Sequence, residues 1–318
     1  MNDSIPPSVE AVIAESHRTN DSGAKSRVAW IASEDGMRQP SVRRWIHYLA
    51  CLYADFRTIY RLFPKDTPGR EGMKDSFGVA TSAEEMLAIA NHLFVLREND
   101  VDGGVMECGC FKGFSTCCLS IACRRLEYQF LVADSFAGLP PLAGEVGPDL
   151  YYQAGDFSGS RREVEENLRT FGDLAGTELI EGWYSETLSD WDRKLSVLWI
   201  DVDLASSVDD ILRPCLSFLE PRGAIFAHEF LPQYIEGGKI MIESGPSGAI
   251  SRSISREDPD YLAQYISGNL AIISRSTSIA VGSHEILRRL LPFLERLSTP
   301  VSGFRAWLRS LNRRAGAC

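Results

Sequence analysis

No stretch of this 318-residue chain approaches the roughly 20 consecutive apolar residues that a membrane-spanning helix requires. A surplus of positive charge is missing too, since the formal net charge is −10 and the isoelectric point is about 5.1. Nucleic acids and anionic membrane surfaces both call for a basic patch to offset phosphate charge, so neither is an expected partner. The opening residues, Met1-Asn-Asp-Ser-Ile-Pro-Pro, lack the basic-then-apolar order of a secretory signal, and a cytoplasmic location is expected. There is no internal repeat and no low-complexity tract. The eight cysteines include Cys108, Cys110, Cys117, Cys118 and Cys123 in one short stretch, but they contain no Cys-x-x-Cys pair. That spacing disfavours a metal or redox cluster and favours free thiols acting as small hydrophobes. What remains is a chain 44% hydrophobic, long enough for one large core plus appendages.

The densest information lies in Val105-Met-Glu-Cys-Gly-Cys-Phe-Lys-Gly-Phe-Ser115. A short apolar run ends in Glu107, Gly109 and Gly113 follow, and a helix of small residues begins near Ser115. Glycines admit close backbone approach, and a helix start presents unpaired N–H groups. A second apolar run, Phe130-Leu-Val-Ala133, ends in Asp134. A carboxylate there is placed to hold ribose hydroxyls in a doubly wound nucleotide site. The glycine spacing, Gly109-x-x-x-Gly113 behind an acid, is not the Gly-x-Gly-x-x-Gly of nicotinamide dehydrogenases.

Four segments follow from periodicity and breakers. Residues 1–40 are polar and mixed and read as a poorly ordered arm. Residues 41–100 form a helical extension: an amphipathic helix over Ser41–Phe63 stopped by Pro64, then a helix from Thr81-Ser-Ala-Glu-Glu to about Asn99. Residues 101–283 alternate strand and helix, with strands at 104–108, 129–134, 177–181, 196–201 and 223–229 and helices at 114–126, 160–171 and 207–219. A closing antiparallel pair is expected near 269–274 and 277–281, joined at Arg275-Ser276. Residues 284–318 carry two basic amphipathic helices, Glu285–Leu297 and Gly303–Arg314. With Ser41–Phe63 they are placed to build a homodimer, to cover the sheet or to form a lid. Doubly apolar strands such as Val197-Leu-Trp-Ile200 predict a parallel sheet with helices on both faces.

Ligands of open α/β sheets bind beyond the carboxyl ends of the strands. Those ends are Glu107, Asp134, Gly182-Trp183, Asp201-Val-Asp203 and His228-Glu229. Burying so many ionisable groups is unfavourable unless a ligand or cation is present. Asp201, His228 and Glu229 are candidate ligands of a divalent cation, Mg²⁺ or Mn²⁺ by the hardness of the carboxylates. The plain alternative has Asp201 capping a helix and His228 making a local hydrogen bond.

From about Ser76 to Phe230 the chain resembles the macrocin O-methyltransferase family, class I S-adenosylmethionine-dependent transferases of natural-product biosynthesis that methylate sugar hydroxyls. The resemblance rests on Thr81, Glu107-x-Gly109-x-x-x-Gly113, Asp134-Ser-Phe-x-Gly-Leu-Pro140, Gly182-Trp183-Tyr184-x-x-Thr187-Leu188 and Asp201-x-Asp203-Leu204. It implies a Rossmann-like α/β fold with a seven-stranded, mostly parallel sheet, S-adenosylmethionine as methyl donor, and a magnesium-type acidic metal site. The chain departs from the family at Asp201-Val-Asp203-Leu-Ala205, where Asp-Gly-Asp-Leu-Tyr is usual. It departs again at His228-Glu229-Phe230, where Asp-Asp-Tyr is usual. Residues 231–260 match poorly.

On this reading Glu107, Gly109, Gly113, Ser115, Asp134, Ser135, Trp183 and Asp201 bind the cofactor. Trp183 is either a wall near the adenine or a core residue. Asp201, Asp203 and His228 carry the chemistry: alignment of the electrophilic methyl group, cation-assisted deprotonation of the acceptor, and proton uptake by Asp203 or His228. The acceptor is a small glycosylated molecule. The competing readings are a different acceptor or a metal-free, non-methyl-transfer reaction at the same cofactor site, and a non-catalytic nucleotide-binding module.

Overall fold

The computed structural model describes residues 29, 31–64, 80–141, 152–257, 260–275 and 283–298. Its centre is a sheet whose middle strands are buried on both faces. We number the sheet strands β1 (Gly104–Cys108), β2 (Phe130–Asp134), β3 (Thr177–Glu181), β4 (Leu195–Ile200), β5 (Leu219–Ala227), β6 (Tyr261–Ser267) and β7 (Leu270–Arg275). Their spatial order is β3-β2-β1-β4-β5-β7-β6. The first five are parallel, and β7 runs antiparallel to both β5 and β6.

Side chains alternate across the sheet. Val105, Val132, Val197, Trp199 and Phe226 enter one buried cluster; Met106, Leu131, Leu198, Ile225 and Ile273 enter another on the opposite face. Helices cover both. The helices are α1 (Glu34–Arg38), α2 (Pro40–Leu62), α3 (Ala83–Glu98), α4 (Phe114–Leu126), α5 (Arg161–Phe171), α6 (Tyr184–Thr187), α7 (Ala205–Cys215), α8 (Gly245–Glu257) and α9 (Ser283–Ser298). Residues of α2 to α5 and α9 belong to the first cluster and residues of α7 and α8 to the second.

The helical extension is integral to the core. Pro40 opens α2 at a position that needs no N–H, and Val42, Trp45, Ile46, Leu49 and Phe56 are fully buried. Helix α3 lies between α2 and the sheet, which is why it is apolar nearly all round. A buried hydrogen bond joins the two helices: the Trp45 indole Nε1 donates to Asn91 Oδ1 at 2.8 Å. Helix α9 packs on α2, with Arg57 pairing with Glu295 at 2.7 Å. Helices α2 and α9 thus form an outer layer over α3.

Several expectations need correction. The closing hairpin is β6 and β7, turning at Gly268-Asn269, one strand earlier than periodicity suggested; Gly268 takes the positive φ of 56° that the turn demands. The expected strand at 277–281 lies outside the described residues, as do residues 1–28 of the arm and the helix Gly303–Arg314. The end of the arm is folded, since Ile31 and Met37 are buried and Ser33 caps α1. Helix α7 starts two residues early and stops at Cys215, where Leu216–Phe218 tightens into a 3₁₀ turn. The seven cysteines among the described residues are free thiols, and no described helix is long and apolar enough to cross a membrane.

Replacing Asn91 with Ala removes the acceptor of a buried indole N–H. It is expected to lower the unfolding free energy by about 2 kcal/mol, measured by denaturant titration, with no change in ligand binding.

Candidate active site

Four strand ends are level because the register makes them so. Cys108 is paired with Ala133 on one side and Ile200 on the other, and Ile200 is paired with Ala227. The residues that follow therefore form one row: Gly109, Asp134, Asp201 and His228. Backbone hydrogen bonds hold the row, Gly109 N–H to Ala133 O at 3.1 Å and Asp201 N–H to Cys108 O at 3.0 Å. The His228 N–H adds a third, to Ile200 O at 3.0 Å. Strand order reverses between β1 and β4, the point at which open sheets leave a crevice. A cavity of about 360 Å³ opens there, a size suited to a small-molecule site.

The glycine loop forms one wall. Gly109 has a φ of +85°, and an added Cβ would lie 2.0 Å from the Asp201 carbonyl oxygen, so glycine is what allows the loop to rest against β4. Gly113, also at positive φ, is the N-cap of α4 but does not line the cavity. Asp134 organises the loop: its Oδ2 accepts from Cys110 N–H and its Oδ1 from Phe136 N–H, each at 2.7 Å. Each carboxylate oxygen keeps acceptor capacity beyond the one bond it takes. Burial raises the Asp134 pKa while these amides pull it down. Ser135 accepts from Ala137 N–H at 3.1 Å and donates to Gly138 O at 3.0 Å, closing the next turn. Glu107 lies beneath this floor and not on it. It is fully buried, takes the Ser115 hydroxyl on Oε1, and leaves Oε2 without a protein partner. Burial pushes its pKa up to about 8, against the Ser115 hydrogen bond.

The acid–histidine cluster continues the row on the other side of Gly109. One ligand atom from each of Asp201, His228 and Glu229 lies within 4.8 Å of the other two. His228 Nδ1 is 3.5 Å from Asp201 Oδ1 and 3.8 Å from Glu229 Oε1. On the ring's far side, Nε2 is 3.8 Å from Glu85 Oε1. Burial opposes charge on His228, but the Asp201, Glu229 and Glu85 carboxylates outweigh it and hold the imidazole protonated well above its ordinary range. Burial raises Asp201, with His228 acting against it. Three carboxylates around one ring leave excess negative charge, a set that fits a divalent cation of the hard, oxygen-seeking kind.

Backbone strain gathers at the same place. Phe111, Phe157, Asp203 and Glu229 are non-glycine residues at positive φ, and all four line the cavity. Ser247 Oγ donates to the Glu229 carbonyl at 2.7 Å and pins that segment. Of the residues nominated from the sequence, Gly109, Ser115, Asp134, Ser135, Trp183, Asp201, Asp203, His228 and Glu229 line the cavity; Glu107 and Gly113 do not. Trp183 is therefore a wall residue. Unanticipated lining residues are Phe111, Lys112, Tyr184 and Asn269, and Glu85 stands behind His228. Glu85 is visible in the sequence as a helix-capping acid, but nothing in its spacing says where its second oxygen points. Asn269 escaped notice because the hairpin turn was placed one strand too late.

Residues 64–232, just over half of the chain, match the macrocin-O-methyltransferase (TylF) family. No curated protein matches the chain. Among solved structures, the O-methyltransferase NovP superposes with a TM-score of 0.56 at 20% identity, covering 72% of this chain and 98% of NovP. CalS11, a calicheamicin methyltransferase, aligns at 0.47 and 16% identity over 76% of this chain and 94% of its own, too loose a match to weigh. The NovP likeness shows the fold: a methyltransferase sheet with its helices.

The floor acid gives a test. Folded Glu107 keeps its proton up to about pH 8, whereas its ordinary value is 4.5. The folded state thus binds the extra proton, and its stability is expected to fall as pH rises from about 4.5 to 8. Glu107→Gln removes that dependence. Without ligand, the variant's melting temperature should gain on the parent's across this window, by an amount corresponding to a few kcal/mol. Parallel curves would refute the burial argument.

Proposed function

This chain belongs to the macrocin O-methyltransferase family, a family of S-adenosylmethionine-dependent enzymes, and on that premise we propose that it methylates a hydroxyl of a sugar or glycosylated natural product with the help of a divalent cation. The observation that carries the proposal is the level row of strand ends, which brings Asp134 and the acid–histidine cluster to the lining of one cavity. Family membership supports the sugar hydroxyl as the acceptor type.

When bound, S-adenosylmethionine would supply an electrophilic methyl carbon for transfer to the acceptor oxygen, with S-adenosylhomocysteine as the other product. Asp134, already fixed by two loop amides, offers its remaining acceptor capacity to ribose hydroxyls. Gly109 admits close approach of the loop, and Ser115 and Ser135 contribute polar edges. Glu107, beneath the loop and outside the cavity lining, would act on the donor through the loop, and a nearby positive charge would lower the cost of its ionisation. Trp183 and Tyr184 exclude water from the donor side. Asp201, His228 and Glu229 would hold the cation, which when bound supplies the charge that makes a chelated hydroxyl more acidic. With His228 committed as a ligand, Asp203, which lines the same cavity, takes the hydroxyl proton. The alignment these walls impose supplies most of the rate, since the methyl group needs no further activation. The reading includes a cytoplasmic enzyme with a small-molecule acceptor and accommodates a homodimer.

Calorimetry with S-adenosylhomocysteine should show binding, weakened by a few kcal/mol at most in Asp134→Ala. No uptake by the parent protein would end the proposal. Turnover of a glycosylated acceptor should stop in EDTA and return with Mg²⁺ or Mn²⁺; resistance to EDTA would select a metal-free route. Asp203→Asn should lower kcat by about 10²- to 10⁴-fold with KM nearly unchanged, and a fully active variant would remove Asp203 as the base.

A further inference from the structure

We propose that Glu85 is a positioning residue for His228: the Glu85 carboxylate holds the ring's hydrogen on Nε2, so that Nδ1 presents its lone pair toward Asp201, Glu229 and a cation between them. This inference rests on the cation reading above and adds a residue from outside the strand ends.

Two oxygens of one carboxylate do two different jobs. Oε2 completes the capping box of α3, accepting from Ser82 N–H at 2.7 Å and Ser82 Oγ at 2.9 Å. A capping acid needs only that oxygen. Oε1 points the other way, accepts from Asn269 N–H at 3.3 Å and faces His228 Nε2 at 3.8 Å. Glu85 is 4% exposed, so this second oxygen is spent inside the protein and not on solvent. The surroundings are shaped to admit it. A Cβ added to Gly268 would lie 2.3 Å from Glu85 Oε1, and the positive φ there lets the β6–β7 turn pass close without a side chain.

The ring is therefore bracketed, with Nε2 toward Glu85 and Nδ1 toward Asp201 and Glu229, at 3.5 and 3.8 Å. An imidazole that ligates a metal through one nitrogen characteristically donates its other N–H to a carboxylate, which fixes the tautomer and the ring plane. A purely capping Glu85 would need neither the cleared turn nor the facing imidazole.

The substitution that separates the two roles is Glu85→Gln. Glutamine serves a capping box as well as glutamate does, so its carbonyl oxygen can stay on Ser82. Its amide NH₂ then gives up the Asn269 N–H that Oε1 accepted and faces His228 Nε2, which must accept, moving the ring hydrogen to Nδ1 where it blocks a cation. Titration of Mn²⁺ into the full-length protein by calorimetry should show affinity about 10- to 100-fold weaker in Glu85→Gln, with S-adenosylhomocysteine affinity retained as the check on folding. Ser82→Ala, which removes the hydroxyl half of the capping box and leaves the Ser82 N–H on Oε2 and Oε1 in place, should lower the melting temperature but keep the Mn²⁺ affinity. Should Glu85→Gln not fold, Glu85→Asp, which withdraws the carboxylate by one methylene, takes its place with a loss of Mn²⁺ affinity again expected. Unchanged Mn²⁺ affinity in the Glu85 variant, or an equal loss in Ser82→Ala, overturns the positioning role while the cation site stands. A parent protein that binds no Mn²⁺ overturns the cation site and this inference together.

Discussion

Negative charge buried at the level ends of parallel strands is the constraint on which this molecule turns. A sheet covered on both faces leaves its strand ends as the place where the backbone opens onto a ligand. Here the register sets Asp134, Asp201 and His228 in one row, and the next residue, Glu229, turns back into the cavity at a φ of 70°. Carboxylates in such a setting are tolerable only with a hydrogen-bond donor or a positive partner for each. Asp134 has its donors in two loop amides. Asp201 and Glu229 have one imidazole between them, which is too little positive charge for the acids around it. Burial raises Asp201, the surrounding carboxylates hold His228 protonated, and the excess of negative charge is what the proposed cation would offset.

The helical extension enters the chemistry through the same imbalance. Helix α3 is buried on nearly all sides, and α2 locks it there through the Trp45–Asn91 hydrogen bond. Its first turn is consequently a fixed point, and Glu85 occupies that turn. A loop could hold a carboxylate near His228 only at the cost of ordering it. A capped helix N-terminus holds it as a by-product of the cap. The segment that reads as an appendage in the sequence is thus part of the wall of the site.

How much of this was legible beforehand follows from the range of each interaction. The parallel strands and α4 were readable because continuous apolar runs and small-residue spacing are local signals. Asp134, Asp201, Asp203, His228 and Glu229 were readable because a strand end is a local feature and strand ends of a doubly wound sheet converge by topology alone. Glu107 misled in one respect. Its place in the sequence is that of a ligand-facing acid, but the pleat turns it under the floor toward Ser115, and only the three-dimensional path of the loop decides that. Glu85 and Asn269 were illegible for a different reason. They meet across 184 positions of chain, and neither carries a local pattern that announces the contact.

The departure from the family at His228 can be understood through Glu85. An aspartate at that strand end brings its own negative charge and asks nothing of the residue behind it. A histidine brings none, and as a ligand it must be neutral with a chosen nitrogen free. Something has to choose. Solvent cannot, because the ring is buried, and Asp201 and Glu229 both lie on the Nδ1 side. Among the described residues, the carboxylate facing Nε2 is Glu85. On the proposed cation reading, exchanging aspartate for histidine calls for an orienting acid from outside the strand ends, and the capping box of α3 places Glu85 on that side of the ring.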